Sequence, residues 1–224
     1  MHGIAGMKGW KTRGRGLAMA AALALGATLA QGAALAQNAQ QSQPGPKTAP
    51  SPVASAHDKA AIIAAMDKMA RFKHARLTVE KAKAAMEVFL KLRETFPPEF
   101  FRSKKPGPEG PVKALKSSEK AREILALVKK KGFSSIDDWA NTFTSLGMAI
   151  AHVREGGDAT VEKKLKDVAG SSLPEEIKEK IAAMLKAVTP PRTNAEVAKR
   201  LLADEEAKRL IEAVERTARE PARK

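Results

Sequence analysis

The sequence predicts an all-α protein: an irregular bundle of six to eight short helices, preceded by a signal peptide and a disordered linker. Apolar residues recur at spacings of three and four along most of the chain, which is the period of an amphipathic helix. Period-two alternation never extends beyond a few residues, so no strand is expected. Glycine and proline separate the periodic stretches at the intervals expected for short helices.

Residues 1–36 are predicted to be a secretory signal peptide. Four cations and no acid precede an apolar run at residues 17–30, and Ala34-Leu35-Ala36 supplies a cleavage site. The run is shorter than the roughly 20 residues of a spanning helix. We therefore expect cleavage near Ala36 and a periplasmic or secreted protein whose mature chain has no transmembrane segment.

Charge is the one compositional feature that suggests a partner. Removing residues 1–36 takes away four positive charges and no negative ones, so the formal net charge falls only from +15 to +11. Such a chain is attracted to polyanions and anionic surfaces. Cysteine is absent, which excludes disulfides, thiol catalysis and thiolate metal sites. Aromatic residues make up only 4% of the chain, which disfavours sites that stack bases or sugars.

The predicted domain organisation follows composition. Residues 37–56 are rich in Gln, Pro and Ser and are predicted to be a disordered linker. Residues 57–216 form the helical domain, and residues 217–224 form a frayed basic tail.

The first helical region, residues 57–96, contains neither Gly nor Pro. Ile62, Met66 and Met69 define one apolar face, but continuing it would place Lys73 and Arg76 in the core. The next apolar set lies nearly half a turn away. Two helices, or one sharply bent helix, are therefore predicted, with the change between His74 and Thr78. This second set consists of Ala82, Ala85, Met86, Phe89, Leu92 and Phe96.

The loop predicted at residues 99–111 is the candidate contact surface, because it combines two phenylalanines with three cations among Pro and Gly. The alternative interpretation is that the phenylalanines fold back on the core and the remainder is a connection. The candidate residues are Phe100, Phe101, Arg102, Lys104 and Lys105.

A helix capped by Ser117 or Ser118 is predicted to follow and to stop at Gly132. The central helix begins at Ser134 or Ser135 and ends at Gly156-Gly157. Residues 139–153 of this helix carry no charge, which predicts burial on most of its circumference. Its main apolar seam is Ile136, Trp139, Phe143, Leu146, Ile150 and Val153, and its opposite side holds Asn141, Thr144, Met148 and His152.

Three further helical regions are predicted from local signals. One spans about residues 159–169, and the next begins after Pro174 and breaks at Pro190-Pro191. Thr193 with Glu196 is interpreted as a capping box for the last region, which is interrupted at Asp204.

Catalytic and metal-binding patterns are scarce. The histidines of the mature chain lie in different elements, and only His152 has an acid at helical spacing, Glu155. One copy of that pair is not the repeated motif of a helical metal site. A haem held between His152 and a methionine is a second possibility, although methionine on an apolar face usually fills the core. The methionines considered are Met66, Met69, Met86 and Met184.

Doubled acids occur at Asp137-Asp138, Glu175-Glu176 and Glu205-Glu206. Each pair falls in the first turn of a predicted helix, where negative charge is favoured by the helix dipole, so they are interpreted as structural rather than catalytic. No nucleophile elbow and no phosphate-binding glycine loop occurs in the sequence.

Three segments resemble a group of uncharacterised small exported all-helical proteobacterial proteins. They are GFSSIDDWANTF at residues 132–143, LPEEIKEKIAAML at residues 173–185 and NAEVAKRLLAD at residues 194–204. The resemblance implies a secreted helical fold and carries over no catalytic residue.

The sequence thus predicts a non-enzymatic exported protein without a cofactor, which acts by binding. Its expected partner is an envelope protein, an anionic polymer or an anionic lipid, and a chaperone-like role fits the same features. Nucleic acid is not expected as the physiological partner of an exported protein. The alternative is a cofactor-binding or metal-binding bundle, or an enzyme, centred near His152.

Overall fold

The computed structural model describes residues 56–96 and 109–219, and these residues form an all-helical bundle. The predicted signal peptide, the linker as far as residue 55, residues 97–108 of the predicted loop and the last five residues lie outside the described part. Nine helices occur within it, rather than six to eight. They are α1 (Ala56–Ala70), α2 (Val79–Thr95), α3 (Glu109–Ser117), α4 (Ala121–Lys130), α5 (Ile136–Arg154), α6 (Asp158–Ala169), α7 (Glu175–Val188), α8 (Arg192–Ala203) and α9 (Glu205–Arg219).

Helix α3 accounts for part of this difference, because the sequence predicted a loop as far as residue 111. The helix begins at Glu109 and takes Pro111 into its first turn. Proline is tolerated there because its missing N–H is one of the donors that a helix N-terminus leaves unpaired. The prediction that residues 109–111 belong to a loop is therefore wrong.

The predicted cap of the following helix is also wrong. The hydroxyls of Ser117 and Ser118 donate to Lys113 O (2.8 Å) and Leu115 O (2.9 Å), so both serines belong to the end of α3. Helix α4 starts after Lys120 without a side-chain cap. Serine can satisfy a helix end as well as a helix start, and the spacing alone does not distinguish these roles.

Helix α5 has the borders that the sequence predicted. Ser135 is the N-cap, and its hydroxyl accepts a hydrogen bond from Asp138 N at 3.1 Å. At the other end Gly156 and Gly157 have positive φ angles of 99° and 69°, which favour glycine.

The main core lies between α2, α5, α8 and α9, with α3 and α4 packed at its edge. The predicted seam of α5 is buried in it, except that Val153 is half-buried. Trp139 Nε1 donates to Ala85 O at 3.0 Å, and Phe143 stacks on Phe89 with ring centroids 4.8 Å apart. The prediction that α5 is the central core helix is confirmed.

A second, smaller apolar cluster lies on the other side of α5. Its buried members are Met66 and Met69 of α1, Met148 of α5 and Met184 of α7. Phe72, Ile181 and Val188 pack against them. The expectation that the uncharged opposite side of α5 also faces protein is confirmed at Met148, which is 7% exposed.

The C-terminal helices depart from the sequence prediction at the start of α8 and at the end of α9, where residues 217–219 are helical although they were predicted to belong to a frayed tail. Pro191, rather than Thr193, is the N-cap of α8, so the predicted capping box does not form. The fixed φ of consecutive prolines lets the helix begin directly after them. Glu196 pairs instead with Lys199, at 2.9 Å. The interruption at Asp204 is confirmed, since its carboxylate accepts from Ala207 N at 2.7 Å and α9 follows, ending at Arg219.

Candidate anion-contact site

The most distinctive surface feature is the segment of residues 71–78 between α1 and α2, which we call the strap. It contains no helix after the turn at Arg71. Three cations, Arg71, Lys73 and Arg76, are exposed along it. Between Asp67 and Glu80 the chain carries no acid. The sequence prediction of a break near residues 74–78 is confirmed, and the break presents a run of positive charge.

The backbone of the strap is held by side chains from distant helices. Asn194 Nδ2 donates to Ala75 O at 2.8 Å, and Asn194 Oδ1 accepts from Leu77 N at 3.1 Å. The hydroxyl of Ser145 accepts from Ala75 N at 2.9 Å. Asn194 and Ser145 are themselves 1% and 0% exposed. An extended chain, which forms no internal hydrogen bonds, is thus paired with the protein on its inner side.

This pairing of the backbone determines which side chains of the strap point into the protein. Leu77 enters the main core, and Phe72 packs on the methionine cluster. The ring of His74 is half-buried, and its Nε2 lies 3.0 Å from Ala187 O. With these groups directed inward, the cations Lys73 and Arg76 remain on the outer side.

Burial has a clear effect on His74. It lowers the pKa of the imidazole below its ordinary value of 6.5, although hydrogen bonds to the backbone of Ala187 and Thr189 act in the opposite direction. A carbonyl oxygen only accepts, so Nε2 carries the hydrogen in the bond to Ala187. The ring therefore serves as a neutral anchor at pH 7, and the positive charge of the strap comes from its arginines and lysine.

The strap cations lack acidic partners within the described residues. No ion pair there involves Arg71, Lys73 or Arg76. By contrast, the next lysines along the chain are paired: Lys81 with Asp138 at 3.1 Å, and Lys83 with Asp204 at 3.3 Å and Glu206 at 2.6 Å.

Two further exposed cations belong to the elements that hold the strap. Lys186 precedes Ala187, which accepts the His74 hydrogen bond, and Arg192 lies two residues before Asn194. Neither forms an ion pair with a described residue. The strap and its supports thus carry five exposed cations, and the pinned backbone of the strap limits the ordering cost of binding.

The residues singled out in the sequence as a contact surface, Phe100, Phe101, Arg102, Lys104 and Lys105, lie outside the described residues. The strap was not predicted as a site, because Lys73 and Arg76 served only as evidence that a helix must break. The absence of acids from residues 68–79 was the signal that could have identified it.

His152 does not form part of a larger polar cluster in the described structure. Its Nε2 lies 3.2 Å from Asp158 Oδ1, and its side chain is 9% exposed. Glu155, the predicted second member of a metal pair, forms an ion pair with Lys164 at 2.8 Å. Within residues 56–96 and 109–219, no three His, Asp or Glu side chains are grouped as metal ligands.

The methionines considered as haem ligands separate into two places. Met86 lies in the main core, whereas Met66, Met69 and Met184 belong to the second cluster together with Met148. The structure thus brings three of the four together, and adds a fourth methionine that had been assigned only to the far side of α5.

The doubled acids lie in the first turns of α5, α7 and α9, as predicted. Burial acts to raise the pKa of Asp138, but hydrogen bonds from Ser134 N, Lys81 Nζ and the Ser134 hydroxyl lower it below the ordinary value. A carboxyl that is held ionised in this way stabilises the start of α5 and is poorly suited to donate a proton.

In the described ranges, no helix combines the length and apolarity needed to cross a bilayer. Comparison of the chain with protein-family models, with curated proteins and with solved structures gave no match.

Proposed function

We propose that this is an exported binding protein that attaches to a polyanion of the cell envelope, and that the strap is part of its contact surface. The observation that carries the proposal is the row of three exposed cations, Arg71, Lys73 and Arg76, on a backbone fixed by Asn194 and Ser145. The signal-peptide pattern of residues 1–36 supports export.

The net charge supports the same class of ligand. A chain that keeps +11 after cleavage attracts anions over long range, and a local cluster then adds short-range contacts. Counterion release makes such binding strongly dependent on salt. Paired surface lysines contribute little to it, because their charge is already compensated within the protein, as it is for Lys83.

The test uses the mature protein, residues 37–224, with two probes: heparin, and vesicles containing phosphatidylglycerol. The strap variant carries Arg71→Gln, Lys73→Gln and Arg76→Gln. The control variant carries Lys113→Gln, Lys129→Gln and Lys163→Gln, which are exposed cations outside the strap. Both variants lose three positive charges, so a difference between them reports position rather than net charge.

The strap variant is expected to bind more weakly, with a salt dependence reduced by about one in log–log slope for each lost contact. The control variant is expected to stay close to the wild type. Equal weakening of both variants would show that only net charge matters. The absence of binding to either probe at low salt would contradict the proposal itself. Heparin binding without vesicle binding would identify a polysaccharide as the ligand, and the reverse result a lipid surface.

A further inference from the structure

The second apolar cluster has an unusual composition. All four of its buried residues are methionines, and each is between 4% and 7% exposed. In the main core of the described residues, Met86 is the only buried methionine among many Leu, Ile, Val, Ala and Phe residues. The mature chain contains five methionines in all, so four of the five meet at one place.

Packing alone does not account for this concentration. Methionine fills irregular gaps because its side chain is unbranched and flexible, but it specifies a core less well than Leu or Ile. A gap-filling role explains one methionine among branched neighbours, as at Met86. It does not explain why every buried position of the smaller cluster carries a thioether while branched residues, Ile181 and Val188, pack only at its margin.

The four methionine side chains come from three helices and pack in one buried cluster. Met66 and Met69 are three residues apart on α1, so they share one face of that helix. Met148 reaches the cluster from α5 and Met184 from α7. Each side chain has three rotatable bonds, so the positions of the four thioethers can adjust within the cluster.

Thioethers select a particular kind of metal ion. They are soft, neutral donors that remain unprotonated at any physiological pH and favour soft ions such as Cu(I) over Zn²⁺, Mg²⁺ or Ca²⁺. A single positive charge is also less costly to bury than the double charge of those ions. No group of three His, Asp or Glu that could hold a harder metal is found in the described part of the chain.

We propose that Met66, Met69, Met148 and Met184 form a binding site for one soft monovalent metal ion, Cu(I) or Ag(I). The site takes no ligand from the strap cations, although Phe72 of the strap packs against it, so the proposal goes beyond the binding function proposed above and does not depend on it. Phe72, Ile181 and Val188 pack against the four methionines, each of which is at most 7% exposed, so little water reaches the site.

The first experiment titrates the mature protein with Ag(I) by calorimetry, and with Cu(I) in anaerobic competition against a chromophoric Cu(I) chelator. One ion per chain is expected. Met148→Leu and Met184→Leu nearly preserve side-chain volume and hence the fold. Each should weaken binding by at least about tenfold, the lower bound seen even for outer-shell changes at metal sites. Met86→Leu, in the main core, is the matched control and should bind like the wild type.

A second measurement needs no variant. With ¹³C-methyl-labelled methionine, Ag(I) should shift the methyl resonances of the four cluster methionines and leave that of Met86 in place. Failure to bind either ion would overturn the proposal. Binding that is unchanged in Met148→Leu and Met184→Leu, or that shifts no methionine methyl resonance, would overturn it equally, because the ion would then lie elsewhere.

Discussion

Asn194 shows how one side chain can substitute for a strand. Its amide donates to Ala75 O and accepts from Leu77 N, which is the pair of bonds that a neighbouring β-strand would provide. Because Asn194 is 1% exposed, water cannot readily replace it. Loss of its amide would leave the buried N–H of Leu77 and the part-buried carbonyl of Ala75 without these partners.

We therefore expect Asn194→Ala to lower the free energy of unfolding by about 2 to 4 kcal/mol, from two unsatisfied backbone groups. The neighbouring exposed change Thr193→Ala should cost less than about 0.5 kcal/mol. Urea denaturation of both variants measures the difference. If the two were equally stable, the strap would not depend on the amide contacts.

His74 makes the stability of the protein depend on pH. Burial holds its pKa below 6.5, so the folded protein binds the proton less readily than the unfolded chain does. The contribution of the neutral His74 ring to the free energy of unfolding is complete above the pKa that this histidine has in the unfolded chain. It is lost as the pH falls below that value, because the unfolded state then takes up more protons than the folded state. The carboxylates with lowered pKa values change stability only at lower pH, since their ordinary values are 3.8 to 4.5.

Accordingly, the melting temperature should fall between pH 7.5 and pH 5.5 by more in the wild type than in His74→Gln. The glutamine does not titrate, and the other histidines are present in both proteins, so the difference isolates His74. Calorimetric melting at several pH values measures it. Parallel curves for the two proteins would show that His74 does not contribute.

At the scale of elements, the connection between α5 and α6 depends on two glycines in the left-handed region. Gly156 has a φ of 99°, and a Cβ built there would lie 3.0 Å from Thr160 Oγ1. The predicted stop of α5 at this position thus has a conformational cause. Gly170, which ends α6, has an ordinary φ of −80° and room for a Cβ, whose nearest neighbour would be Lys166 O at 3.5 Å.

Gly156 and Gly170 form a matched pair for substitution. Gly156→Ala should destabilise the protein by about 1 to 2 kcal/mol, the cost of a left-handed conformation for a residue with a Cβ. Gly170→Ala should be neutral or stabilising by up to about 1 kcal/mol, because it restricts only the unfolded chain. Chemical denaturation measures both. A destabilisation at Gly170 as large as that at Gly156 would contradict this account.

At the scale of the whole molecule, the helices of the described part differ in how many buried residues they contribute. The main core is surrounded by six helices, whereas α6 contributes no buried residue and α7 contributes only Met184. Because local opening requires less free energy where few apolar groups are buried, α6 and α7 belong to the less stable layer of the fold.

Native-state hydrogen exchange followed by mass spectrometry should therefore show amides of α6 exchanging at lower free energies than those of α2 and α5. The two reference helices each bury a continuous apolar face, including Phe89 and Phe143. Comparable protection in α6 and α5 would show that α6 opens only when the whole domain unfolds.

Local chemistry alone was enough to predict the class of the fold and the central helix. The cap at Ser135, the acid at Asp138 and the stop at Gly156 act over four residues or fewer, so they are visible in the sequence. Such local signals were not sufficient at Ser117 and Ser118, because the same pattern fits either the start or the end of a helix.

The contacts that fix the strap backbone, and the meeting of the methionines in one cluster, could be found only in three dimensions. The bonds that hold the strap join residues 70 to 119 positions apart, and the cluster gathers methionines from three helices. Periodicity shows which face of a helix is apolar, but it does not identify the residues that this face meets. Long-range packing decided that the break after α1 presents cations on a fixed backbone, and that four methionines share one cluster.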